Sequence, residues 1–252
     1  MKNIALGLIG KSLKHSFSKK YFTEKFLKEG LTNYTYQNYE LDQIDTIREI
    51  VKENNLSGFN VTIPYKEQIL PYLDEIDETA KNIGAVNTVK VIRSHNKIKL
   101  IGYNTDAFGF HQLIKPFFKS RHERILVLGT GGASKAVAYL LKKQYGASVL
   151  FVSRKPTEGN IINWKDVNEN VIRFHKMIVN TTPIGMFPYE DESPEIPLNK
   201  INKEYLLVDL IYNPLQTIFL KKGKEKEAVV LNGLTMLHQQ AEKSWGIWNE
   251  NN

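Results

Sequence analysis

The chain has 252 residues, 42% hydrophobic and 24% charged, with a formal net charge of +7 and no cysteine. That length holds one large domain or two ordinary ones, and the composition excludes a disordered chain, disulfides and thiolate catalysis. No apolar run reaches the length of a membrane-spanning helix, and the lysines are dispersed among acids, as in KKGKEKEA, with no nucleic-acid-binding signature beside them.

Residues 4–9 (IALGLI) read as a first strand and are too short for a signal peptide. An amphipathic helix is expected over 18–29, a strand over 34–40 and a helix over 43–53. In SGFNVTIPYKEQIL (57–70), Phe59, Val61 and Ile63 alternate with Asn60 and Thr62, which predicts a strand over 58–63 with one buried face. Pro64 ends it, having no N–H to give a ladder. Lys66 then stands at the strand's mouth, where by itself it reads as an ordinary surface lysine. Helical turns follow through 67–83. The stretch 85–106 gives two strand-like runs joined by a turn at Ser94-His95-Asn96, a hairpin that breaks the alternation and closes a first domain.

A second rhythm begins with a helix over 106–118. Strands are expected at 124–128, 148–152, 177–180, 206–209 and 228–231, and helices at 134–145 and 215–222. Near-continuous apolar strands alternating with helices predict a parallel sheet covered on both faces. The closing helix places Leu237, Ala241, Trp245 and Trp248 on one face, and puts Gln240 one turn from both Leu237 and Ser244 on another. The six histidines show no metal-ligand spacing, so no metal is expected.

RILVLGTGGASKAVAYLL (124–141) is the strongest local signal: a buried strand, a turn through Gly129, Gly131 and Gly132, then a helix. Such a turn lets a pyrophosphate approach a helix N-terminus, as in Rossmann-type domains, although Ser134 holds the third glycine position. The plain alternative is a glycine-rich connection that binds nothing. The next strand ends in Ser153-Arg154-Lys155 with no acid at its tip. An acid there would repel a 2′-phosphate and the cations attract one, so NADP is favoured over NAD.

Eight segments in order resemble the shikimate dehydrogenase family: GLIGKSLKHSFS (7–18), NVTIPYK (60–66), GAVNT (84–88), GYNTDAFGF (102–110), GTGGASKA (129–136), NTTPIGM (180–186), DLIYNPLQT (209–217) and GLTMLHQQA (233–241). The resemblance implies reduction of 3-dehydroshikimate to shikimate with NADPH, on the way to chorismate and the aromatic amino acids. It implies an α/β protein of two domains with a cleft between them. A substrate domain with a mainly parallel sheet spans 1–105, closed by a helix at 234–252, and a Rossmann-type NADP domain spans 106–233. It assigns Lys66 and Asp106 as the catalytic pair. Ser16 and Ser18 would bind the substrate carboxylate, with Thr62, Asn87, Tyr212 and Gln240 completing the substrate contacts. Gly129, Thr130, Gly131, Gly132 and Ala133 would line the pyrophosphate turn, Ser153, Arg154 and Lys155 the 2′-phosphate, and Thr181, Leu210 and Gly233 the nicotinamide end. His15 reads as structural and Gln239 faces elsewhere. Two places depart from the family pattern: Lys19, where proline often follows the second serine, and Ser153-Arg154-Lys155 at the 2′-phosphate loop, which loses an asparagine and gains a cation.

A small-molecule substrate is the expected partner, with no nucleic acid and no membrane, in a cytoplasmic monomer or homodimer. Rival readings are a quinate/shikimate enzyme with relaxed cofactor use, a non-catalytic NADP-binding sensor, and a folate-linked dehydrogenase of similar design. Both serines favour shikimate over the bulkier quinate, and the presence of both Lys66 and Asp106 speaks against the sensor.

Overall fold

The computed structural model describes residues 3–14, 16–94, 97–156 and 159–250; His15, and His95-Asn96 of the expected turn, lie outside the described residues. The chain forms two compact units, residues 1–105 with 241–252, and 106–240.

The first unit is built on β1 (Ile4–Gly10), α1 (Phe17–Lys28), β2 (Tyr34–Glu40), α2 (Ile47–Glu53), β3 (Leu56–Val61), α3 (Tyr65–Gln68), β4 (Glu75–Ile76), α4 (Glu78–Ile83), β5 (Thr88–Ser94) and β6 (Lys97–Tyr103). The sheet order is β2-β1-β3-β5-β6-β4. β1 runs parallel to β2 and β3, and β4 to β6, while β5 is antiparallel to β3 and β6. Alternation along β1 sends Ile9 into a cluster with Phe59, Val61 and Tyr65, and Leu6 and Leu8 into another with Phe22, Phe26 and Tyr36. Each fully buried side chain of this size contributes about 2 kcal/mol.

The expectation of one buried face on the 58–63 strand is corrected. β3 is covered on both sides, Asn60 is buried beside Phe59 and Val61, and Ile63, beyond the strand's end, is 72% exposed. The second face is taken by the closing helix. A Cβ on Gly58 would lie 2.4 Å from the Trp248 ring, whose Nε1 donates to the Val89 carbonyl. The two-residue strand β4 escaped the sequence reading, being far too short to show a period.

The second unit comprises α5 (Asp106–Ile114), β7 (Arg124–Leu128), α6 (Gly132–Tyr145), β8 (Ser148–Ser153), β9 (Ile161–Asn163), α7 (Glu169–Phe174), β10 (Met177–Asn180), β11 (Leu206–Asp209), α8 (Ile218–Glu225), β12 (Val229–Leu231) and the start of α9 (Leu234–Asn249). Its six strands are all parallel, in the order β12-β11-β10-β7-β8-β9. β7, β10 and β11 are buried throughout apart from Arg124, as a sheet covered on both faces requires. β9 and α7 were not anticipated. Both are short, and α7 is started by Asn168, whose Oδ1 accepts from the Asn170 and Val171 N–H groups. α9 continues past Gln240 into the first unit, where Ala241, Ser244 and Ile247 form its buried stripe. Ser244, one turn on from Gln240, is fully buried, and Leu237 is only half-buried while Met236 is buried. No helix among the described residues is long and apolar enough to cross a membrane.

Candidate active site

In the first unit, β1 and β3 are parallel and finish side by side, with Ile9 opposite Val61. β5 begins and β6 ends at the same edge, since Thr88 pairs with both Asn60 and Tyr103. The segments leaving that edge carry Ser16 and Ser18, Thr62 and Lys66, Asn87, and Thr105. Ser16 is the N-cap of α1, yet its side chain makes no cap hydrogen bond. Thr62 is held by its N–H on the Ile9 carbonyl (2.9 Å), and its methyl lies over Gly10. Lys66 is half-buried on α3; the neighbouring Tyr65 ring is buried with its hydroxyl on the Leu41 carbonyl, and the Lys66 carbonyl accepts from Val86 N–H at 2.8 Å. The lysine at the strand's mouth thus stands on a backbone fixed from two sides.

Asn87 is buried. Its Oδ1 accepts the Thr105 N–H at 2.7 Å, and its Nδ2 donates to Thr105 Oγ1 at 3.0 Å. Asp106, the next residue, opens α5 and is buried. In the second unit α5 meets α9 at Gly109, where a Cβ would lie 2.5 Å from the Met236 carbonyl and 3.2 Å from the Gln240 nitrogen. Gly109 therefore lets α5 carry Asp106 one turn from Gln240's helix.

Ser153, the last residue of β8, and the residues beyond the C-terminal ends of the parallel strands include every sequence-predicted cofactor residue. Gly129–Ala133 follow β7, Arg154 and Lys155 follow β8, Thr181 follows β10, Leu210 follows β11 and Gly233 follows β12. The strand order reverses between β7 and β10, the place where parallel α/β sheets open a crevice for ligands. Gly129 has φ +106°, and a Cβ there would come within 2.8 Å of Thr181 Oγ1, whereas a Cβ on Gly131 would meet nothing within 4 Å. α6 starts at Gly132 with no acidic side chain in its first turn. This cradle fits a pyrophosphate, and exposed Arg154 and Lys155 fit a 2′-phosphate. At the other end the Leu210 carbonyl lies where a Cβ of Gly233 would be, 2.0 Å away.

Ser134, the apparent defect in the glycine pattern, is buried and its hydroxyl lies 2.7 Å from Thr181 Oγ1, which donates to the Leu128 carbonyl at 2.6 Å. It joins α6 to the loop after β10, so the departure is a fastening. The Thr181 hydroxyl is used within the sheet. Sequence reasoning also gave no role to the buried Asn180 and Asp209, which close two strands. Asp209 accepts from Asn180 Nδ2 (3.1 Å), Ile211 N–H (3.1 Å) and Thr217 Oγ1 (2.7 Å), and Asn180 Oδ1 accepts from the Thr182 hydroxyl (2.6 Å). Burial pushes the Asp209 carboxyl up to about 6, outweighing these three donors. A polar residue ending an apolar strand, as in LLVD, was the available signal.

An all-parallel sheet with a glycine cradle and a basic strand tip at its reversal, in one chain with a unit that gathers an ammonium and neutral polar side chains at one sheet edge, defines a dinucleotide-dependent oxidoreductase. The family model described as the shikimate dehydrogenase substrate binding domain matches residues 8–89. A shikimate dehydrogenase (NADP(+)) of Methanococcus maripaludis is 40% identical over 98% of this chain and 92% of its own. The crystal structure of shikimate dehydrogenase from Aquifex aeolicus is 36% identical, with a TM-score of 0.86 over 98% of this chain and 92% of that one. A shikimate dehydrogenase solved in complex with NADP+ is 33% identical, with a TM-score of 0.82 over 98% and 90%. The chain belongs to the shikimate dehydrogenase family.

Proposed function

We propose that this protein is an NADP-dependent oxidoreductase that interconverts 3-dehydroshikimate and shikimate, with residues 1–105 and the end of α9 serving the substrate and residues 106–233 the cofactor. The observation that supports the reading most is the gathering of Thr62, Lys66 and Asn87 at one edge of the first sheet. A small polyhydroxylated acid is recognised by short donors and acceptors, because a wrong ligand leaves buried polar groups unpaired.

The cofactor, when bound, supplies a hydride to the ketone carbon. Lys66 holds the proton that the carbonyl oxygen takes as it becomes a hydroxyl, and accepts it back in the oxidation. Asp106 orients the substrate hydroxyl and the ammonium. Ser16 and Ser18 take the carboxylate, and Thr62, Asn87, Tyr212 and Gln240 hold the hydroxyls. Gly129, Thr130, Gly131, Gly132 and Ala133 admit the pyrophosphate, Ser153, Arg154 and Lys155 receive the 2′-phosphate, and Thr181, Leu210 and Gly233 shape the nicotinamide end. A cytoplasmic monomer or homodimer in chorismate biosynthesis completes the reading, which the cysteine-free composition suits. Purified protein offered shikimate or quinate, each with NADP or NAD, tests it. Shikimate with NADP gives the highest kcat/KM; quinate with NAD equalling it overturns the reading.

A further inference from the structure

Strands β10 and β11 end on an in-register pair of buried side chains, Asn180 beside Asp209. Each closes a turn onto its own chain: Asn180 Oδ1 accepts the Thr182 N–H at 3.1 Å, and Asp209 Oδ1 accepts the Ile211 N–H at 3.1 Å. A backbone N–H can only donate, so the first of these bonds fixes the sense of the Asn180 amide. Its Nδ2 donates to Asp209 Oδ1 at 3.1 Å and to the Ile184 carbonyl at 3.3 Å, while its Oδ1 also accepts the Thr182 hydroxyl at 2.6 Å. All four bonding positions of the amide are thus used within the second unit. Flipped, it would set its N–H groups against the Thr182 N–H and its oxygen against a carboxylate. On the far side of the pair Thr217, the N-cap of α8, donates its hydroxyl to Asp209 Oδ2 at 2.7 Å.

The two turns aim two peptides. Across a planar trans peptide the carbonyl points opposite to the N–H. With the Ile211 N–H held on Asp209, the Leu210 carbonyl is sent the other way, to within 2.0 Å of where a Cβ of Gly233 would stand, and the Gly233 N–H bonds the Ile211 carbonyl at 2.9 Å. With the Thr182 N–H held on Asn180, the Thr181 carbonyl is likewise turned away from the pair. The cations Arg154 and Lys155 follow β8, on the other side of β7 from β10, beyond the reach of this clasp. We propose that Asn180 and Asp209 are positioning residues, joined by a hydrogen bond so that the peptides after β10 and β11 are set together as the backbone against which the nicotinamide end of the cofactor rests. The inference rests on the reading of Thr181, Leu210 and Gly233 as that end.

Asp209→Ala removes the shared acceptor. Asp209→Asn keeps an oxygen for Asn180 and Ile211 and offers an N–H to Thr217, whose hydroxyl can turn to accept it. Asp209→Ala lowers kcat with shikimate about 10²-fold, the effect of a small misplacement of reacting groups, and leaves the dissociation constant of 2′,5′-ADP, which has no nicotinamide, unchanged. Asp209→Asn restores kcat. An undiminished kcat in Asp209→Ala, or an affinity for 2′,5′-ADP that falls in step with kcat, overturns the proposal. A second readout needs no turnover: the fluorescence of bound NADPH, which arises in the nicotinamide ring, is altered in Asp209→Ala and matches the wild type in Asp209→Asn. Unaltered emission in Asp209→Ala sinks the clasp even if shikimate is turned over. Altered emission in a protein that turns over no shikimate upholds the clasp and fails the functional reading instead, and a chain that binds no NADPH overturns both. Should Asp209→Ala not fold, Thr217→Val, which keeps the shape and deprives the same carboxylate of a donor, takes its place in every arm, with the same outcomes.

Discussion

The two units prepare their sheet edges by different chemistry. The first presents side chains, Thr62, Lys66 and Asn87, backed by a buried network of neutral hydroxyls and amides. The second presents backbone, the turn at Gly129–Gly132, and backs it with a network that includes one buried carboxylate, Asp209. On the proposed function, a polyhydroxylated ligand is met at the first edge group by group, through side-chain donors and acceptors. A pyrophosphate is read by rows of N–H groups, so the second edge needs only bare backbone and a nearby cation. Chemical identity matters at the first edge, and the space a Cβ would fill matters at the second.

That contrast can be broken or sharpened by four measurements. Lys66→Ala should lower kcat about 10²- to 10⁴-fold, the range for a lost general acid–base group, while the KM for NADP stays put; a variant with near-normal turnover removes the ammonium from the mechanism. Gly129→Ala tests the backbone edge. Its Cβ meets Thr181 Oγ1 at 2.8 Å and its φ is +106°, so denaturant unfolding should show a loss of about 2 kcal/mol together with a raised KM for NADP. Arg154→Ala should raise the KM for NADP about tenfold and spare that for NAD, since a charge-assisted bond to the 2′-phosphate is lost; parallel changes for both cofactors would remove its role in choosing between them.

The smallest effect separates the two buried networks by pH. Asp209 keeps its proton in the native state up to about pH 6, against 3.8 for an ordinary aspartate. Between these values the folded protein binds more protons than the unfolded chain, so the Asp209 contribution to stability falls as pH rises. About 1 kcal/mol should go between pH 5 and 7. Melting curves of Asp209→Asn should lack that slope, because the amide has nothing to titrate. The first unit's network contains no group that ionises in this range, so Thr88→Ser should leave the slope unaltered.

Much of this was legible in the sequence. β2 and β7 occupy the expected 34–40 and 124–128, because their residues carry their own periodicity or β-branching. The strand–glycine turn–helix at 124–141 located the cradle. What could not be read depends on partners distant in the chain. Asn60 looks like the solvent side of an alternating strand until α9, some 180 residues later, covers it. Ser244 looks like a polar position on a helix that reaches the site, yet it is the hub of a network with Thr88 and Thr105. Ser134 reads as a missing glycine, and only the fold reveals Thr181 above it.

The Trp248 indole, wedged over Gly58 and bonded to Val89, has a practical consequence when set beside the other two tryptophans. Trp245 and Trp248 pack in the first unit against Phe26 and Phe22, and half-buried Trp164 packs against the core of the second. Each half of the molecule thus carries its own intrinsic fluorophore. Replacing Trp164, or the other pair, by phenylalanine yields protein whose emission follows a single half, so that cooperative and stepwise melting can be told apart without any external dye.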